Sequence, residues 1–96
     1  MYTSIHRYGE LSASPEDMTH AIRELAVALS KLPGFITYLA LDCGAGACGT
    51  IAIFDDHESL ALADRLAARW VSDRLGSRSL ETPLLASGEI IAQRGL

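Results

Sequence analysis

Apolar positions along this chain recur at two spacings, and the switches between them mark the elements. Met18, Ile22, Leu25, Leu29 and Leu32 follow one another at steps of four, three, four and three, one stripe of an amphipathic helix. That helix is roughly 25 Å long at 1.5 Å per residue. Thr19, His20, Arg23, Ser30 and Lys31 occupy its solvated side. Ser14 as N-cap, Pro15 at N1 and the acidic pair Glu16-Asp17 mark its start. Pro33 stops it by biasing Leu32 away from helical backbone, and Gly34 permits the turn. Phe35 to Asp42 then reads as a strand with Phe35, Thr37, Leu39 and Leu41 on one side and Ile36, Tyr38, Ala40 and Asp42 on the other.

The same reading extends to both ends. Tyr2 to Tyr8 is a first strand, with Tyr2, Ser4, His6 and Tyr8 sharing a face, and Gly9 to Ala13 is a loop. Gly44-Ala45-Gly46-Ala47 joins the second strand to a third, Gly49 to Phe54, as a hairpin. The nearly continuous apolar run Ile51 to Phe54 predicts a central strand covered on both faces. Asp55 as N-cap with Glu58 three residues on opens a second helix. Its stripe is Leu62, Leu66 and Trp70, widened by Ala63 and Ala67, with Val71 at the edge. Arg74 to Pro83 is a surface loop, and Leu84 to Gln93 a last strand centred on Ile90 and Ile91.

These segments predict an α+β, ferredoxin-like β-α-β-β-α-β domain over residues 1–96, a four-stranded antiparallel sheet with two helices on one face. The other sheet face is left bare, yet both sides of the second strand are substantially apolar. A homodimer packing sheet against sheet would cover it.

Composition narrows the function classes. Half the chain is apolar (49%) and the net charge is −4, which argues against nucleic acid as a partner. Arg65, Arg69, Arg74 and Arg78 do gather, but Asp64, Asp73 and Glu81 dilute them into a solvated helix face. No apolar run approaches the roughly 20 residues of a membrane helix, and Met1 to Arg7 lacks the apolar core of a secretory leader. A cytoplasmic setting is therefore expected. There Cys43 and Cys48, which bracket the hairpin loop, are read as two small half-buried thiols, with a cross-hairpin disulfide as the alternative. Metal binding is not expected, since no Cys or His stands nearby to complete a tetrahedron.

The element order, the Leu32-Pro33-Gly34-Phe35 junction, the third strand ending in Phe54-Asp55-Asp56 and the Gly88-Glu89-Ile90-Ile91 segment resemble the dimeric α+β barrel superfamily, in its antibiotic-biosynthesis-monooxygenase-like (ABM) branch. The resemblance implies a homodimer with a ligand pocket between sheet and helices in each protomer. It implies a cofactor-independent monooxygenase or isomerase-like protein acting on a small aromatic or polyketide-like molecule. The alternative is a non-catalytic small-molecule-binding or regulatory module of the same fold. Similar monooxygenases carry an Asn on the third strand and a Trp at its end, and the matching positions here are Thr50 and Phe54, which the resemblance implies as ligand-contacting. No cofactor is implied: haem-degrading members use a His late in the second helix or just beyond, and Trp70 to Leu84 holds none.

His6 is the candidate general base, on a strand face lined with hydroxyls; a solvated or dimer-contact His is the other reading. Tyr8 and Tyr38 are candidates to hold a developing oxyanion, Tyr38 being alternatively a core residue with a satisfied hydroxyl. Trp70 is read either as an aromatic wall for a flat ligand or as a core anchor. His57 and His20 are read as surface residues. Gly44-Ala45-Gly46 is no phosphate cradle, because it joins two strands.

Overall fold

Pro15 and the Ser14 side chain start the first helix where the sequence places it. The computed structural model describes residues 1–9, 13–75 and 83–96. Its elements run β1 (Tyr2–Tyr8), α1 (Pro15–Ser30), β2 (Phe35–Gly44), β3 (Ala47–Phe54), α2 (His57–Leu75) and β4 (Leu84–Glu89). Ser14 Oγ accepts from the Asp17 N–H at 3.1 Å, which satisfies one of the helix's orphan donors. Met18, Ala21, Ile22, Leu25 and Leu29 form the buried face of α1, and Leu32 packs against the core from the turn beyond.

All four strands pair antiparallel in the order β2-β3-β1-β4. The hairpin from β2 to β3 turns through Ala45 (φ 52°) and Gly46 (φ 76°), the two positive-φ positions of a type I′ turn. Phe35 pairs with Phe54 and Thr37 with Ile53, so Ile36 is an extra, bulged residue. The bulge changes the expected alternation of β2. Phe35 lies on the same face as Tyr38, packed edge-on against Phe54 at 5.7 Å, rather than with Thr37, Leu39 and Leu41.

Both helices cover one sheet face, and the core of Leu25, Leu29, Phe54, Leu60, Val71 and Leu75 lies between. The second helix departs from expectation in phase and in cap. Leu60, Ala63, Ala67, Val71 and Leu75 are its buried residues, while Leu62 is 44% exposed and Leu66 and Trp70 are half-buried. Small side chains at 63 and 67 let the helix approach the sheet closely, which moves the bulkier residues to its flanks. Asp56, not Asp55, is the cap: its carboxylate accepts from the Ser59 N–H at 2.8 Å and from the Ser59 hydroxyl at 3.0 Å.

The last strand is shorter than expected and ends at Glu89. Its pairing with β1 runs out at Tyr2 opposite Glu89, followed by one further bond from the Ile90 N–H to the Met1 carbonyl at 2.8 Å. Ile91, expected at the strand's centre, is 97% exposed. The loop expected over Arg74 to Pro83 begins later than expected, because Arg74 and the buried Leu75 close α2; of it and of the loop expected over Gly9 to Ala13, residues 76–82 and 10–12 lie outside the described residues, Arg78 and Glu81 among them.

Candidate functional site

Strand register decides which side chains meet under the helices. Four rows cross β1, β3 and β2: Tyr2–Phe54–Phe35, Ser4–Ala52–Tyr38, His6–Thr50–Ala40 and Tyr8–Cys48–Asp42. Tyr8, Cys48, Ala52 and Phe54 belong to the core against the helices, so this is the helix-facing side of the sheet. The hydroxyl-and-imidazole face of β1 therefore points inward. Of the six residues singled out from sequence, His6, Tyr8, Tyr38, Thr50 and Phe54 share this surface.

The environment of each can be read in turn. The half-buried His6 stacks on Tyr8, with ring centroids 6.0 Å apart and planes 5° from parallel. Burial lowers its pKa below the ordinary 6.5, and the Asp64 carboxylate opposes that shift. Burial pushes the Tyr8 phenol up to about 12, with Asp64 and Cys48 adding to the shift. Tyr38 is pushed up as well, chiefly by burial, against a side-chain hydrogen bond with Thr50. The Cys48 thiol is also raised by burial. At neutral pH the face thus presents a neutral imidazole beside two protonated phenols and a thiol.

Asp64 is the residue sequence reading missed. Its sequence neighbourhood, among the arginines of a solvated helix face, points it to solvent, but the phase of α2 turns it toward β1. There it accepts from the Ser4 hydroxyl at 2.6 Å, and Ser4 itself has no exposed surface. The signal was present in the Leu60, Ala63, Ala67 spacing, which places position 64 on the sheet side.

Phe54 and Trp70 occupy structural positions rather than open space. Phe54 has no exposed surface and packs against Phe35. Trp70 lies in the seam between helices: its indole N–H donates to the Ala21 carbonyl at 2.9 Å, and the Arg74 guanidinium covers its ring at 4.1 Å. Arg74 also pairs with Glu24 at 2.6 Å, and Glu24 with His20 at 3.0 Å. His20 and His57 are exposed, as expected, with His57 edge-on to Tyr2 at 5.8 Å.

The two cysteines are free. Cys48 points into the core, whereas a Cβ placed on Gly49 would meet Cys43 Sγ at 3.4 Å, which puts that thiol on the opposite, open face. A disulfide across the hairpin is therefore not formed. Among the described residues no cluster of three His, Cys, Asp or Glu side chains is arranged to hold a metal ion. None of the described helices is long and apolar enough to cross a membrane.

A groove of about 240 Å³ opens between α1 and the end of β2. Met18, Ile22 and Cys48 form its floor, and Arg23 and Asp42 stand at its rim. None of the six residues singled out from sequence lines it. It nevertheless abuts their rows, since Cys48 pairs with Tyr8 and Ala40 with Thr50.

A four-stranded antiparallel sheet in this order, with two helices on one face, is a ferredoxin-like fold. Comparison with solved structures agrees. A structure of an antibiotic biosynthesis monooxygenase superposes with a TM-score of 0.68 at 16% identity, over 96% of this chain and 100% of that one. SnoaB, a cofactor-independent oxygenase from Streptomyces nogalater, does so at 0.63 and 18%, over 99% and 95%. The protein YJCS gives 0.67 and 12%, over 94% and 99%. At these identities the likeness is one of fold. No protein-family model and no curated protein sequence matches the chain.

Proposed function

We propose that this protein is a cofactor-independent monooxygenase of the ABM-like fold, acting on a small aromatic or polyketide-like molecule held between sheet and helices. The observation that carries the reading is the convergence of His6, Tyr8 and Tyr38 on the helix-facing surface, in the protonation states the chemistry needs. Neutral His6 removes a proton from a phenolic or enolisable substrate. Tyr8 and Tyr38, both protonated, donate hydrogen bonds to the resulting oxyanion. The electron-rich anion then passes one electron to dioxygen, the co-substrate, and the two radicals combine into a C–O bond; the peroxide takes the proton back from His6, and O–O cleavage releases water and leaves one oxygen atom as a product carbonyl. Asp64 faces the imidazolium formed and offsets its charge. The fold shared with SnoaB and the antibiotic biosynthesis monooxygenase supports the reaction class.

The active form in this reading is a homodimer closed over the open sheet faces, located in the cytoplasm. The row Leu39–Ile51–Ile5–Ala86 supports the dimer, because it crosses the helix-free face with Leu39 53% exposed. Binding without turnover is the second reading. It is favoured by Phe54 and Thr50, which are spoken for by Phe35 and Tyr38 respectively.

Oxygen uptake with a panel of quinols and phenols separates the two. The expected result is uptake with at least one substrate, reduced about a hundredfold or more in His6→Ala, the range usual for loss of a general base. Uptake by His6→Ala equal to that of the unaltered protein removes His6 as the base.

A further inference from the structure

We infer that the groove between α1 and the end of β2 is a binding site for a single-ring hydroxyaromatic carboxylate. In this arrangement Arg23 takes the carboxylate and Asp42 the hydroxyl. The groove abuts the rows of His6, Tyr8 and Tyr38 without being lined by them, so the inference concerns binding beside the proposed catalytic surface and does not depend on that reading.

Three observations lead there. The floor is apolar and buried, with Met18 at 5% exposure, Ile22 at 6% and Cys48 at 2%, and the Cys48 thiol is kept protonated by burial. Such a floor suits an apolar ring, for which the Met18 thioether is a favourable neighbour. The volume, about 240 Å³, falls below the roughly 300–1,000 Å³ of sites for drug-sized ligands and accommodates one ring.

The rim supplies opposite charges with unequal commitments. Arg23 is exposed on the groove and makes no ion pair among the described residues, since the neighbouring Glu24 is taken by His20 and Arg74. A planar guanidinium left free at the mouth of an apolar groove matches a carboxylate in a two-point hydrogen bond. Asp42 uses Oδ1 to accept from the Gly44 N–H at 2.9 Å, which fixes its carboxylate and leaves Oδ2 for a donor. A ring hydroxyl is such a donor. Thr19 gives its proton to the Pro15 carbonyl at 2.9 Å, so toward the groove it offers only an acceptor. The rim thus asks for one anion and one hydroxyl on a flat apolar body.

The probe is 4-hydroxybenzoate, followed by amide chemical shifts and calorimetry on the full chain, with 4-hydroxybenzamide and benzoate as partners. Saturable shifts are expected at Met18, Ile22, Ala40 and Cys48. The neutral amide should bind about tenfold more weakly or worse. Arg23→Gln, at an exposed position, should abolish the preference for the acid while its circular dichroism stays unchanged. Asp42→Asn should weaken 4-hydroxybenzoate and leave benzoate unaffected. Absence of saturable shifts overturns the inference, as does equal binding of acid and amide, or shifts confined to the open sheet face. Binding with no oxygen uptake on any substrate keeps this site and removes the monooxygenase reading.

Discussion

The imidazole of His6 is half-buried against Tyr8 with the Asp64 carboxylate on the facing helix, and that placement has a consequence for stability as well as chemistry. Its pKa in the folded protein lies below the ordinary 6.5, chiefly because burial penalises the charged form. Between the two values the unfolded chain binds more protons than the folded one, so stability rises with pH across that window. The contribution is present in full above about 6.5 and is lost as pH falls through the lowered folded value. Urea unfolding of the unaltered protein and of His6→Gln from pH 5 to 7.5 should show this slope in the first and not in the second. A proton-NMR titration of His6 with a midpoint at or above 6.5 would contradict it. The inward direction of the strand that makes this possible was not readable from sequence. Tyr2, Ser4, His6 and Tyr8 could be seen to share a side, but alternation alone does not say which side faces the helices. Ser4 shows why: a small polar residue is fully buried because Asp64 accepts its hydroxyl proton, and no local pattern announces a partner sixty residues away.

At the level of elements, what was legible followed the spacing of large apolar residues, and what was not followed geometry that spacing ignores. The first helix came through intact because its stripe, cap and stop signals agree. In α2 the large residues misled, since Ala63, Ala67 and Val71 face the sheet and Trp70 is drawn aside to the Ala21 carbonyl. One bulged residue, Ile36, was enough to move Phe35 onto the helix-facing side. The α2 start was misplaced by one position, and this gives a direct test. Asp56 caps the helix, and its hydrogen bonds from Ser59 hold its carboxyl below the usual 3.8. That stabilisation is present above 3.8 and is lost as pH falls through the lowered value. Asp56→Ala should therefore lower the melting temperature at pH 7 and bring it closer to that of the unaltered protein at pH 3. Asp55→Ala should leave the melting temperature nearly unchanged, because its side chain makes none of these bonds. Equal losses from the two substitutions would show that Asp55 shares the capping role.

For the molecule as a whole, the physical question is what covers the helix-free side of the sheet. Leu39, Ile51, Ile5 and Ala86 form an unbroken apolar row across all four strands, with Ile53 in the next row between Thr37 and Thr3. Leu39 and Leu41 are each more than half exposed, at 53% and 55%. A monomer would keep that row in water, whereas a second copy related by a two-fold axis would meet it with the same row. Specific interfaces bury about 800 Å² per partner, so the row alone is not enough and the whole open face would have to take part. Light scattering coupled to size exclusion should give the mass of two chains for the unaltered protein. The pair Leu39→Lys and Ile51→Lys places like charges on both sides of the two-fold and should give one chain. Neither residue lines the groove or belongs to the inward rows, so the His6 NMR titration should be unchanged in the monomer. A single-chain mass for the unaltered protein would remove the dimer. A lysine pair that remains dimeric would place the contact elsewhere, with the exposed β4 edge as the next surface to test.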